Sequence, residues 1–325
     1  MSTTVNADRP LQVEPKLVRR LRSIKLGALV WGVLRAVLII GIGFIVLYPL
    51  LINCVSALMP EDDLYDPSVR WVPNKLTLDN VRMAWRLMEY PRAFLNSTAL
   101  SLAAAALQLV SCTAIGYGFA RYRIKGGRLW FSLVVFTLIV PPEMTLIPQY
   151  LNFRYFDLYG LIPGGGINLI GTLWPAMLTS ALGMGLKSGL LIYIMRQFFK
   201  GLPQDLEDAA YVDGAGPFTT FLRVMVPSAV PGMVVVFLFA VVWQWNDSLI
   251  VTMFLGGKKY LPNMLGDLAR RTAIEVIGDN NQIVSPYTSI INNTGSVLVM
   301  APLVALYIFC QRYFVETIER TGLVG

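Results

Sequence analysis

The chain contains stretches that no water-soluble fold can hide. Residues 36–60, between Arg35 and Glu61, carry no charge, and neither do residues 93–120, between Arg92 and Arg121. Each exceeds the roughly 18 apolar residues that mark a membrane span. Further apolar runs follow: 129–153, interrupted by Glu143; about 169–195, with Lys187 inside it; 224–246; and 280–311, most apolar at 297–310. Six helical crossings are expected. The fourth is expected to be interrupted by Gly183, Gly185, Lys187 and Gly189. In hydrocarbon every backbone polar group must be paired internally, which leaves helices or closed barrels. The runs lack the alternation of barrel strands. The expected fold is therefore an all-α integral membrane bundle.

Composition agrees. Only 14% of the 325 residues are charged and 55% are hydrophobic, against about 25% charged in soluble domains. Histidine is absent, which excludes histidine bases, Ser-His-Asp and Cys-His nucleophiles and imidazole metal sites. Cys54, Cys112 and Cys310 lie far apart in apolar segments. They read as buried packing residues rather than ligands or disulfide partners. The net charge of +7 gathers in a few short segments, as membrane orientation demands, and no nucleic-acid motif accompanies it.

With residues 1–35 inside, the inside segments carry 16 of the 27 Lys and Arg residues. Both termini are then cytoplasmic. The turn RYRIKGGR (121–128), with four basic residues and no acid, is the clearest marker. Residues 1–28 form a basic cytoplasmic tail, expected to be disordered to about Lys16. Residues 29–325 form the transmembrane domain, with a cytoplasmic loop at 196–223. The N-terminal basic stretch leads into a run too long for a cleaved signal peptide.

That loop, RQFFKGLPQDLEDAAYVDGAGPFTTFLR, has structure of its own. Pro203 suits a first helical turn. Asp205, Glu207 and Asp208 place negative charge at the positive end of the helix dipole. Gly214 suits the stop. A helix over 203–213 spans about 16 Å. Ala209 and Ala210 keep one face small. Such a helix either lies on lipid or acts as a lever gripped by a partner. Pro227 and Pro231 open the next span.

At these residues the chain resembles the permease subunits of ABC importers. Their loop signature is Glu-Ala-Ala, three residues, Gly, nine residues, Ile, one residue, Leu-Pro. Here it reads Asp208-Ala209-Ala210, Gly214, Val224 and Val226-Pro227, with three conservative departures. Arg196-Gln197-Phe198-Phe199, Leu206-Glu207 and Asp213-Gly214-Ala215 look like the carbohydrate-uptake subgroup related to maltose permeases. So do Val140-Pro141-Pro142 with Leu146-Ile147-Pro148, Trp245-Asn246-Asp247 and Gln311-Arg312-Tyr313-Phe314-Val315. The resemblance runs from about Leu47 onward. It implies a type I importer permease of a bacterial or archaeal plasma membrane, translocating a sugar or oligosaccharide. It also implies that Glu207, Asp208, Ala209, Ala210, Asp213, Gly214, Ala215 and Pro227 couple the bundle to a separate ATPase subunit. A second homologous permease and an extracellular solute-binding protein complete the assembly. The segments 162–166 and 270–285 enlarge two outside connections relative to shorter members.

No phosphate-binding loop of the form G-x-x-x-x-G-K-[ST] occurs, so ATP and magnesium belong to the partner. The chain itself holds no cofactor. The path candidates are Glu143, Trp243, Trp245, Asn246, Asp247 and Asn292. Glu143 either hydrogen-bonds a sugar hydroxyl, pairs with a base or sits in outer water. The tryptophans either stack on sugar faces or form an interfacial belt. Lys187 lines the path or reaches the surface along its stem. Asn96, Ser97, Thr98, Ser101, Asn292 and Asn293 either line the route or hydrogen-bond between helices. A non-sugar solute such as an amino acid, a peptide or glycerol phosphate is the alternative cargo. A membrane enzyme or a scaffold fits less well, since no carboxylates pair within the spans and a scaffold needs no ATPase grip.

Overall fold

The computed structural model describes residues 15–66, 69, 72–157, 160, 162, 166–279 and 283–322. Among them every regular element is helical, apart from one isolated bridge between Phe156 and Ile167. The helices are α1 (Pro15–Leu58), α2 (Glu61–Leu64), α3 (Asp79–Leu87), α4 (Tyr90–Arg121), α5 (Gly127–Phe136), α6 (Pro142–Arg154), α7 (Trp174–Ala181) and α8 (Ser188–Gly201). They continue as α9 (Asp205–Val212), α10 (Pro217–Thr220), α11 (Val226–Ser228), α12 (Val230–Asn246), α13 (Ser248–Leu255), α14 (Leu261–Thr272) and α15 (Pro286–Gly322). Phe221–Met225 and Ala273–Ile277 are wound as π-helix.

Three helical stretches are long and apolar enough to cross a bilayer unbroken: Ala28–Leu58, Tyr90–Arg121 and Pro286–Gln311. They match the expected first, second and sixth spans. A fourth arises if Pro217–Ser228 and Val230–Asn246, bent by 77°, count as one. The expectation of six helical spans is thereby corrected to three, or four with the bent pair, among the described residues, while the interruption expected in the fourth run is borne out. The third run divides into α5 and α6. Pro141 precedes Pro142 and is extended, at φ −61° and ψ 133°, because a residue before proline is pushed out of the helical region. The fourth run divides into α7 and α8. Gly183 (φ 70°) and Lys187 (φ 54°) both take left-handed backbone there. With 8 and 14 residues, these two helices are about 12 and 21 Å long, short of a roughly 30 Å hydrocarbon core.

α4 is the central rod and packs along α8, α12 and α7. Gly116 makes the α4–α8 crossing close: a Cβ there would sit 2.7 Å from Met195 Cβ. Small residues at such crossings let backbones approach where lipid offers no hydrophobic drive. Gly232 of α12 meets the Phe198 ring of α8 in the same way. One core cluster forms around Cys112, Leu191, Met195, Phe199, Met225 and Val236. A second gathers Leu87, Met88, Trp245, Leu261, Leu268 and Ile291 from α3, α12, α14 and α15.

Polar groups weld the broken fourth region to α4. Gln108, fully buried, donates to the Leu186 carbonyl (2.7 Å) and the Ser188 hydroxyl (2.8 Å). The Ser111 hydroxyl donates to the Ser180 carbonyl at 2.7 Å. Buried hydrogen bonds of this kind are worth about 0.6–2 kcal/mol between membrane helices.

Of the cysteines, only Cys112 is buried; Cys310 is half-buried and Cys54 is exposed. Cys54 fails the packing expectation because α1 presents most of its surface outward, from Leu29 to Leu51. Residues 1–14 of the expected tail, and 163–165 and 280–282 of the enlarged connections, lie outside the described residues. The rest of 270–285 is not a simple loop: it continues α14 into the π-wound segment.

Candidate functional site

The loop after α8 is built by local rules. Leu202 precedes Pro203 and is extended (φ −76°, ψ 140°), which ends α8 at Gly201. α9 starts at Asp205, two residues later than Pro203 suggested, and is 8 residues long. It stops in a glycine-dependent turn. Gly214 has φ 80°, the Ala215 N–H bonds the Ala210 carbonyl (2.9 Å), and the Gly214 N–H bonds the Tyr211 carbonyl (3.1 Å). This is the Schellman pattern, which uses up two free carbonyls at the helix end.

One side of α9 is locked to the end of α4. The Tyr117 hydroxyl donates to Glu207 Oε1 at 2.6 Å. Arg121 Nε lies 3.2 Å from Glu207 Oε2, with side chains 13% and 7% exposed. Arg121 also donates to the Leu202 carbonyl at 2.7 Å, tying down the approach to α9. Phe199, Phe221 and Tyr122 surround the Tyr117 ring, with centroids 4.7–5.7 Å away. Ala210 is the other buried residue of α9. The other side is open: Asp208, Ala209, Tyr211, Val212, Asp213 and Gly214 are exposed. Beyond it, Ala215 is half-buried and Pro227 exposed.

Glu207 and Ala210, expected on the partner-facing side, thus face their own bundle. An isolated buried carboxylate is costly, and Arg121 with Tyr117 supplies the pairing that makes burial tolerable. Sequence reasoning took Arg121 only as a marker of orientation and did not single out Tyr117. Their spacing at i and i+4 on the last turn of a span, facing an acidic loop, was the available signal.

The six path candidates do not converge. Trp245 is buried in the second core cluster, donating through Nε1 to the Val299 carbonyl (3.1 Å), and its ring meets Phe94 edge-on. Trp243, two residues earlier, faces the first cluster, stacked on Phe239 at 5.4 Å. Lys187 is exposed, with Nζ 4.9 Å over the Trp243 ring. Asn246 is exposed and bonds its own helix at the Val242 carbonyl. Asp247 caps α13 by accepting from the Ile250 N–H at 2.9 Å. Glu143 is exposed in the first turn of α6. Asn292 is half-buried on α15, its carbonyl taken by the Ser296 hydroxyl. Asn96 and Ser97 join helices instead of lining a route: Asn96 donates to the Lys259 carbonyl, and Ser97 accepts from the Leu261 N–H. Among the described residues no group of three His, Cys, Asp or Glu side chains could hold a metal ion.

The family model for the binding-protein-dependent transport system inner membrane component matches residues 112–321. That span takes in α9, its lock and the helices on either side. The chain belongs to this family. It is an ABC-importer permease subunit, a multi-pass membrane protein rather than an enzyme. Similar permeases include the osmoprotective compounds uptake permease protein of Synechocystis, 30% identical over 86% of this chain and 88% of that one. The arabinooligosaccharides transport system permease protein of Halalkalibacterium halodurans is 28% identical, covering 87% and 93%. The trehalose transport system permease protein of Mycobacterium tuberculosis is 27% identical, covering 91% and 97%. In fold the permease is similar to a chain of a bacterial ABC transporter involved in importing the acidic polysaccharide alginate. The TM-score is 0.67 at 19% identity, covering 88% of this chain and 96% of that one.

Proposed function

We propose that the chain is a permease subunit that carries a sugar or oligosaccharide into the cell, driven by ATP hydrolysis on a separate ATPase subunit. Residues 29–325 form its transmembrane domain, with residues 1–28 as a basic cytoplasmic tail and 196–223 as the coupling loop. The bundle makes six crossings with both termini cytoplasmic, three by unbroken helices and three by the broken pairs α5–α6, α7–α8 and α11–α12. The basic turn at 121–128 supports this orientation. The carbohydrate named for several similar permeases supports the cargo.

One observation carries the mechanism: α9 is fastened to α4 on one side and bare on the other. A helix fixed in this way transmits motion in both directions. When the ATPase closes on Asp208, Ala209, Asp213 and Gly214, the displacement passes through Glu207 and Ala210 into α4. The bundle then rocks between inward and outward access. A second permease supplies the other half of the path, and an extracellular solute-binding protein delivers the ligand.

The test is reconstitution of the full complex in liposomes with labelled oligosaccharides. ATP-dependent accumulation of a sugar is expected. Accumulation of an amino acid, a peptide or glycerol phosphate in its place would transfer the assignment to that solute. A thiol crosslink between Asp208→Cys and the ATPase subunit is expected to form. Labelling of that cysteine from the extracellular side would overturn the orientation.

A further inference from the structure

A cleft of about 540 Å3 opens at the C-terminal end of α4, where the 122–127 turn leads into α5. Its walls include Phe119, Ile124 and Phe131, and its charged groups are Arg123, Arg128 and Arg196. No acid lines it, and none of the three arginines forms an ion pair among the described residues. Such a volume lies in the range of small-ligand sites.

The arginines are not simply three solvated surface charges. Arg196 is held in place: its guanidinium carbon lies 3.8 Å over the Phe131 ring and its Nε donates to the Phe119 carbonyl at 3.3 Å. Its other guanidinium nitrogens have no hydrogen-bond partner among the described residues. Arg123 and Arg128 flank the start of α5, a 10-residue helix whose first turn has no side-chain cap. The Gly127 N–H is taken by the Ile124 carbonyl at 2.9 Å, and beside this turn the anchored Arg196 and the exposed Arg123 and Arg128 put three positive charges within reach of an anion. Guanidinium groups match phosphate oxygens in geometry as well as charge.

What brings the phosphate is decided by the neighbouring surface. α5 continues from the cleft with Leu129, Trp130, Leu133 and Phe136 exposed. An exposed apolar face of this kind suits acyl chains, and an exposed tryptophan at its start suits the lipid–water boundary. Basic pockets between spans at this level suit anionic headgroups. We propose that the cleft binds the phosphate of an anionic phospholipid, with Arg123, Arg128 and Arg196 around the headgroup and the exposed face of α5 along one acyl chain. Its placement in the inner leaflet rests on the orientation proposed above; the phosphate chemistry does not. Arg196 lies on α8, five residues before Gly201, so the headgroup sits at the root of the coupling loop.

The test uses the purified full chain and native mass spectrometry. Phosphatidylglycerol, phosphatidylcholine and inorganic phosphate are titrated separately. Phosphatidylglycerol is expected to be retained at least tenfold more strongly than phosphatidylcholine. The double variant Arg123→Gln/Arg128→Gln removes two exposed, unpaired side chains and is expected to weaken phosphatidylglycerol about tenfold without changing phosphatidylcholine. A photoactivatable phosphatidylglycerol is expected to label the 119–132 peptide. Equal retention of phosphatidylglycerol by parent and variant would overturn the proposal. Displacement of the lipid by millimolar inorganic phosphate would reassign the site to soluble phosphate and end the lipid claim. Labelling of Lys125→Cys by an impermeant reagent from outside would overturn the proposed orientation and with it the inner-leaflet placement, but not the phosphate chemistry of the cleft. Sugar uptake by the parent complex is scored separately, so failure of the lipid site does not count against transport.

Discussion

Glu207→Ala should release the coupling helix. Glu207 and Arg121 are 7% and 13% exposed and 3.2 Å apart, and Glu207 also takes the Tyr117 hydroxyl at 2.6 Å. Removing one partner of a buried pair costs about 3–5 kcal/mol, because the other charge is left unpaired. The lower end applies here, since the pair sits at the edge of the bundle, where water reaches Arg121 once α9 lifts. At about 1.4 kcal/mol per factor of ten, 3 kcal/mol is roughly a hundredfold shift toward the detached state. Detachment is readable at Ala210, 8% exposed on the inner face of α9. Ala210→Cys is placed in a chain whose Cys54, Cys112 and Cys310 have been replaced. Its alkylation rate by a soluble maleimide then reports the opening equilibrium. The expected gain is about 10²-fold in Glu207→Ala. About tenfold is expected in Glu207→Gln, which keeps the acceptor for Tyr117 but loses the charge opposite Arg121. Transport by the reconstituted complex should fall in the same order while ATPase assembly persists. An unchanged alkylation rate in Glu207→Ala would refute the lock, and with it the path by which force reaches α4.

Other outcomes follow from the same geometry. Gly214→Val has open space around its Cβ but forces φ near 80° on a branched side chain, a cost of about 1–2 kcal/mol; uptake should drop while membrane insertion, measured by fractionation, is unchanged. Gly116→Val pushes a Cβ to 2.7 Å from that of Met195; overpacking of about 1–3 kcal/mol should lower the thermal midpoint in detergent, whereas Gly118→Val, with nothing within 4 Å, should not. Trp245→Phe removes the bond to the Val299 carbonyl and should cost about 1 kcal/mol of stability with substrate affinity intact; a selective loss of affinity would make Trp245 a path residue after all. The Lys259 ammonium, hydrogen-bonded to Glu89, holds that carboxyl below the ordinary glutamate value against the opposing effect of burial. A depressed carboxylate stabilises above its unfolded pKa and loses that contribution as pH falls through the folded one. The gap in thermal midpoint between parent and Glu89→Gln should therefore close on acidification; a gap independent of pH would exclude the pairing as its source.

The sequence alone determined that this chain is helical and crosses a membrane. Uncharged runs as long as 36–60 and 93–120 have no other way to satisfy their backbone. Single-residue backbone chemistry was legible in part: Gly214 closes α9 as read, but α9 begins at Asp205, two residues after Pro203, which instead holds Leu202 extended beyond the end of α8 at Gly201. What the sequence could not reveal is which groups meet. Glu207, Asp208, Ala209 and Ala210 are consecutive and read alike, yet a helix turns about 100° per residue and sends Glu207 and Ala210 inward and their neighbours outward. Tyr117 and Glu207 lie 90 positions apart, and only the packing of α4 against the loop brings them into hydrogen-bond range. Trp243 and Trp245 likewise part company, because α12 is wedged between two cores. The continuity of the third run also depended on more than hydropathy, since prolines at 141 and 142 break a helix that apolar composition alone would extend, whereas the break of the fourth at Gly183 and Lys187 was legible in its glycines. Composition sets where a chain prefers to be, while the direction of each side chain is set by the neighbours that close around it.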